Sequence, residues 1–200
     1  MAKRARGVTS GEFFRFLRRR KGEAADRKMA DRTEREITLF VSDSSGFTRR
    51  THEHGILHFL SLLIRVYDRV VPRLRKHGGR VLVARADNIL ALFEDPAGAV
   101  AAAVEVQKLL ARDNRRKREA DRFNLCIGIH SGRAFVLKDD VYGACVNVAS
   151  KLGEDLAGKD EILVTGEVAR QVKGRFRTSY VRSAVIGARP FELHRISCRP

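Results

Sequence analysis

Apolar residues form an unbroken run at 37–41, too short for a helix and without alternation, which predicts a buried strand. From Ile56 the period changes. Ile56, Leu57, Phe59, Leu60, Leu63, Ile64, Tyr67, Val70 and Val71 return at three- and four-residue spacing, predicting one helix stopped at His77-Gly78-Gly79. Two strand-like runs, 81–84 and 89–93, follow with a tight connection between them. A second helix is expected from Pro96 through Val100, Val104, Leu109 and Leu110. Strands at 123–129 and 134–137 would flank a turn at Ser131-Gly132. A third helix from Tyr142, a strand at 162–165 and more strand near the C-terminus complete the pattern.

Read in order, this is strand, helix, strand, strand, helix, strand. It is the ferredoxin-like split βαββαβ unit, an α+β fold with helices on one face of the sheet and extra C-terminal elements. That domain is expected over residues 36–200. Residues 1–35 read as a basic helical leader, in which Thr9 and Glu12 fit a capping box ahead of Phe13, Phe16 and Leu17. Three roles are open for the leader: a helix docked on its own domain or on a partner subunit, an acidic-membrane contact, or a nucleic-acid contact.

Composition narrows the setting. The longest alanine- and valine-rich stretch, 97–106, is interrupted by Glu105 and falls short of a membrane span. The basic start is not followed by an apolar core or a cleavage site, so no signal peptide is expected. Cys126, Cys145 and Cys198 contain no C-x-x-C pair, which argues against a disulfide framework or zinc knuckle and for a reducing cytoplasm. Lys and Arg total 40 against 24 Asp and Glu, a net charge of +16 that favours polyanionic partners without choosing among them.

Two acids stand where chemistry is expected. Asp43 leaves the first strand into Ser44-Ser45-Gly46-Phe47-Thr48, where small residues, a glycine and then a hydroxyl residue let a phosphate approach the backbone. Asp87 sits in the connection between the next two strands, beside Asn88, a residue suited to a tight turn. Either acid alone is ordinary turn chemistry. In the split unit, however, that hairpin neighbours the first strand, and two converging carboxylates call for a divalent cation between them.

The stretch 39–48, with Asp87 placed 44 positions after Asp43, resembles the metal-binding elements of class III adenylate and guanylate cyclases. Further matches follow in order. Gly128-Ile129-His130-Ser131-Gly132 is similar to that family's Gly-x-His-x-Gly segment, residues 140–150 to its substrate helix, and 161–165 to the strand after it. The resemblance implies that Asp43 and Asp87 bind two Mg²⁺ or Mn²⁺ ions, with the Ser44 carbonyl as a further ligand. It implies that backbone N–H groups of Ser45, Gly46, Phe47 and Thr48 cradle phosphates and that Arg133 reaches them. Asn147 would orient the ribose, and Asp140 would accept from an exocyclic amine of the base. A head-to-tail homodimer would then supply the metal carboxylates from one chain and Asn147 from the other.

Three departures bear on activity. Lys151 stands where many members have an arginine on the triphosphate, keeping the charge but losing the two-pronged geometry. Val83 replaces a lysine that reads adenine. Ala86 and Asn88 replace the usual glycines around Asp87, and Arg85 either pairs with Asp87 or reaches the base pocket. ATP is the expected substrate, with a pyrimidine triphosphate as the alternative. A degenerate nucleotide-binding or dimerisation module is the reading of another class. A histidine pair at His54 and His58 lacks a third ligand nearby, Cys145 reads as a buried thiol, His130 as structural, and residues 115–118 as a solvated loop.

Overall fold

The computed structural model describes residues 7–20, 22–46, 51–53, 55–85 and 87–198, with Arg85 described by its backbone alone. Two helices come first. In α1 (Ser10–Arg18) the expected capping box is formed: the Thr9 hydroxyl accepts from the Glu12 N–H, and the Glu12 carboxylate accepts from the Thr9 N–H at 2.8 Å. The second, α2 (Glu23–Thr33), runs straight into β1 (Glu34–Ser44). Then come α3 (Ile56–Lys76), β2 (Arg80–Arg85), β3 (Asn88–Phe93), α4 (Pro96–Asn114), β4 (Leu125–Val136), β5 (Val141–Tyr142) and α5 (Ala144–Ser150). The chain closes with β6 (Ile162–Thr165), α6 (Gly166–Gln171), β7 (Thr178–Ile186) and β8 (Arg189–Ile196).

The strands form one sheet in the order β2-β3-β1-β4-β6-β8-β7, with β5 paired to β4. β1 lies antiparallel to both β3 and β4, and β4 runs parallel to β6. The split unit is therefore present at the centre, and the β7–β8 hairpin extends it on one side.

Side chains of β1 alternate between two cores, not one. Phe40 joins Phe59 and Val66 of α3 with Val100 and Val106 of α4, while Ile37, Leu39 and Val41 meet Cys145 and Ala149 of α5. The expectation of helices on one face alone is thus corrected. A strand covered on both sides reads as a continuous apolar run, and 37–41 is such a run. A second correction concerns Ser131-Gly132, which is no turn: β4 continues through it, pairing Ser131 with Thr38 and Gly132 with Ile37. The two hydroxyls, Thr38 and Ser131, satisfy each other at 2.9 Å inside the sheet, so a polar pair that reads locally as a turn is a cross-strand contact. The third helix begins at Ala144 and not at Tyr142, because Tyr142 pairs with Phe135 as the end of β5.

Beyond α5 the chain keeps turning as a π-helical stretch, Lys151–Leu156, pressed on β1 and β4. The contact is backbone to backbone: a Cβ on Gly128 would fall 2.3 Å from the Gly153 nitrogen, and one on Gly153 would fall 2.6 Å from the Val41 carbonyl oxygen. Neither neighbour is a flexible side-chain end that can move aside. Gly128→Ala is therefore expected to lower stability by about 3 kcal/mol, read as a fall in denaturation midpoint at unchanged slope.

The leader packs on this domain. Val8 and Phe13 are buried with Leu137, against Phe135, Tyr142 and Met29. The docking role expected for the helix is met on the chain's own surface, and Phe13 is not available to a membrane. No helix among the described residues is long and apolar enough to cross one.

Candidate active site

β1 delivers Asp43 to the end of the sheet, where it pairs with Cys126 of β4. The neighbouring strand on the other side is β3, which pairs Ile89 with Ser42. That register brings the β2–β3 turn, and Asp87 in it, against the end of β1. The Ser44 hydroxyl lies 3.4 Å from the Asp87 carboxylate. Burial, then the charge of Asp87 and a proton shared with it, push the Asp43 carboxyl up to about 7, with Glu154 adding in the same direction. Only a hydrogen bond from the Ser44 backbone opposes them. None of these influences is a cation.

Tyr67, on α3, was read from the sequence as one more apolar helix position. Its hydroxyl donates to the Asn88 carbonyl at 3.1 Å, and burial beside Asp87 and Asp43 raises its phenol far above the usual range. It walls the acid pair, and nothing in its helical spacing marked it. The Asn88 side-chain oxygen is buried and has no partner. The two carboxylates offer oxygen donors alone, which suits a hard divalent ion such as Mg²⁺ or Mn²⁺. Among the described residues no group of three or more His, Cys, Asp or Glu gathers as a metal site, here or elsewhere. His58 is 3.5 Å from Asp121, and His54 lies outside the described residues.

Residues 29–193, which carry this acid pair, are matched by the model of the adenylate and guanylate cyclase catalytic domain. The chain belongs to that family. Among curated proteins this cyclase domain is similar to a serine/threonine-protein kinase, pkn2, of Myxococcus xanthus (28% identical over 137 residues) and to putative adenylate cyclase 3 of Rhizobium meliloti (27% over 149 residues). These alignments take in 66% and 74% of this chain but only 16% and 25% of the relatives, so the chain spans a small part of their length. Among solved structures, the guanylyl cyclase Cya2 superposes with a TM-score of 0.73 at 22% identity, covering 82% of this chain and 92% of that one. The adenylyl cyclase CyaB from P. aeruginosa gives 0.73 at 21%, covering 82% and 94%. At such identities the likeness speaks for the fold.

The other residues singled out from the sequence lie in two further groups. Asn147 and Lys151 are exposed on the outward side of α5 and its continuation, one turn apart. Lys151 pairs with Asp155 at 2.6 Å. Arg133 and Asp140 lie toward the far end of β4: Arg133 faces Glu34 at 3.4 Å, and Asp140 accepts from the Val141 N–H at 2.8 Å and the Tyr142 hydroxyl at 2.5 Å. Cys126 and Val136 are ten positions apart along β4, roughly 30 Å of strand, so the metal carboxylates and Asp140 of one cyclase domain cannot grip one nucleotide together. Val83 is partly exposed on β2.

The phosphate cradle needs correcting at its first member. The Ser45 N–H donates to the Asn124 carbonyl at 3.0 Å and is taken up by the sheet end. Gly46 follows in the left-handed region at φ 84°, Phe47 and Thr48 lie outside the described residues, and so does the Arg85 side chain. The His130 imidazole, pushed down to about 4 by burial, contacts the Thr165 hydroxyl at 3.0 Å, and the buried Cys145 thiol donates to the Arg133 carbonyl.

Proposed function

We propose that this cyclase domain converts a nucleoside triphosphate, ATP first, into its 3′,5′-cyclic monophosphate and pyrophosphate, as a metal-dependent homodimer. The observation that carries the reading is the convergence of Asp43 and Asp87, two carboxylates with no cationic side chain acting on Asp43 among the described residues. Asp43, Asp87 and the Ser44 carbonyl would hold two divalent ions. Those ions, when bound, supply charge neutralisation on the triphosphate and a lowered pKa for the ribose 3′-hydroxyl. In the reaction the 3′-oxygen bonds to the α-phosphorus, the bond from that phosphorus to the bridging oxygen breaks, and the hydroxyl proton leaves.

The remaining roles fall to a second copy of the chain. Its Asn147 orients the ribose, its Lys151 exchanges Asp155 for a phosphate oxygen, and its Arg133 exchanges Glu34 likewise. Its Asp140 is an acceptor, which suits the exocyclic amine of adenine or cytosine and repels the guanine carbonyl. The Lys151–Asp155 pair also favours a second reading, a nucleotide-binding module whose phosphate lysine is held away from its target.

The test is direct. Purified protein is incubated with ATP, CTP, GTP and UTP in turn with Mn²⁺, and products are separated by chromatography. Cyclic AMP is expected as the main product. Absence of a cyclic product from all four removes the enzyme reading, and triphosphate binding without turnover supports the module.

A further inference from the structure

Asp140 is not a free side chain at the surface. Both its oxygens are bonded by the residues that follow it, the Val141 N–H at 2.8 Å and the Tyr142 hydroxyl at 2.5 Å. Two of about four lone-pair sites are thereby used, which fixes the plane of the carboxylate and the direction of the sites that remain. The short bond to Tyr142 is also felt by the phenol, which Asp140 pushes up to about 12.

What fixes Tyr142 is the leader. The Phe13 ring stacks on the Tyr142 ring at 6.0 Å and 15°, and the Phe14 ring meets it edge-on at 5.7 Å. The loop between β4 and β5 is closed by a bond from the Leu137 N–H to the Asp140 carbonyl and is tied to the leader at two further points. The Lys138 N–H donates to the Val8 carbonyl at 2.8 Å, and Ser10 donates from its backbone and hydroxyl to Asp139 at 2.7 and 2.6 Å. From the other side Arg80 of β2 donates to the Leu137 and Lys138 carbonyls, each at 3.0 Å. The one acid assigned to the base therefore sits on a loop clasped by a segment about 130 residues earlier in the chain.

We propose that Tyr142 is a positioning residue for base selection, and that α1 is the brace that holds it. The inference rests on the reading that Asp140 meets the base. An acceptor on a rigid mount discriminates an amine from a carbonyl by geometry, and a mount that tilts lets the base shift or a water intervene. Any partner that draws α1 away would loosen discrimination among triphosphates without touching the acids at the far end of the sheet.

Three variants of the full chain test this against ATP, CTP, GTP and UTP. Tyr142→Phe keeps the ring stack and removes only the hydroxyl. Phe13→Ala with Phe14→Ala leaves the loop intact and removes the brace. Asp140→Asn is the reference. In both Tyr142→Phe and the double phenylalanine variant, the KM for the preferred triphosphate is expected to rise roughly tenfold with kcat changed less than about threefold, and selectivity over GTP to fall in step. Tyr142→Phe added to Asp140→Asn should change little further, since both act through one carboxylate. Unchanged selectivity in Tyr142→Phe, while Asp140→Asn loses it, overturns the proposal. Unchanged selectivity in Asp140→Asn shows instead that this acid does not meet the base, and the proposal falls with that reading. If no triphosphate turns over, the same ratios are taken from competition binding with Mn²⁺, and failure of all four to bind overturns it equally.

Discussion

Asp43→Asn is expected to abolish cyclase activity, by a factor on the order of 10³ or more, and at the same time to stabilise the metal-free protein above neutral pH. The first effect follows from the several kcal/mol that a divalent ion contributes to a phosphoryl-transfer transition state, all of which needs this carboxylate as anchor. The second follows from the electrostatics of the acid pair itself. Burial and Asp87 raise the Asp43 carboxyl from 3.8 to about 7 in the folded chain. Between those values Asp43 holds more protons in the folded state, so its own contribution to stability falls as pH rises from about 4 to about 7, against an opposite contribution from His130, which burial pushes down to about 4. An amide carries no charge to desolvate, and the variant should lose that slope, gaining about 2 kcal/mol at pH 8 after allowance for solvent screening. Mn²⁺ should raise the melting temperature of the native chain at pH 8 and leave that of the variant unmoved. Product assays with melting curves from pH 4 to 8, each with and without the ion, check both halves. A variant that keeps activity, or one whose melting temperatures respond to pH and to Mn²⁺ as the native chain's do, would show that the acid pair is not a metal site.

The pairing behind this prediction was legible in the sequence because it depends on element order and little else. Once 37–41 is a buried strand and 81–93 a hairpin, the split unit makes them neighbours, and register then brings Asp87 to Ser44. The apolar run without alternation also carried the information that β1 is covered on both faces, although the one-face expectation left it unused. Features decided by contacts across long separations could not be read. Ser131 and Gly132 have turn-like composition, and only the eleven-residue pairing of β4 with β1 makes them strand. Phe13 reads as one face of an amphipathic helix whatever it touches, and its partner Tyr142 is remote in sequence. Tyr67 sits among leucines and valines at helical spacing, and its hydroxyl acquires meaning only beside Asn88. The Ser45 N–H belongs to a phosphate-friendly sequence, yet the carbonyl of Asn124 claims it. Local pattern reports what a segment prefers, and these sites are settled by what approaches it.

Mixing two inactive variants should restore activity to roughly a quarter of the native level, if the site is built from two copies of the chain in head-to-tail contact. The geometry within one chain motivates this. Asp43 and Asp87 occupy one end of β4, Asp140 the other, and Asn147 points outward from α5. In a symmetric dimer each site takes its acid pair from one chain and Asn147 with Asp140 from the other. Asp43→Asn alone spoils both sites, as does Asn147→Ala alone. In a mixed dimer the two lesions fall in the same site, leaving the second one wholly native. Random assortment makes half of all dimers mixed, each with one working site of two, which gives the expected quarter. The experiment is co-expression of differently tagged variants and assay of cyclic product, in which the unfractionated population gives about that quarter and the mixed dimer isolated by tandem purification about half of the native activity per dimer. A mixed dimer as dead as its parents would mean that the acids and the asparagine must come from the same chain. No rearrangement of a single sheet could then bring both ends of β4 to one nucleotide, and the roles given to Asn147 and Asp140 would have to be abandoned with the dimer.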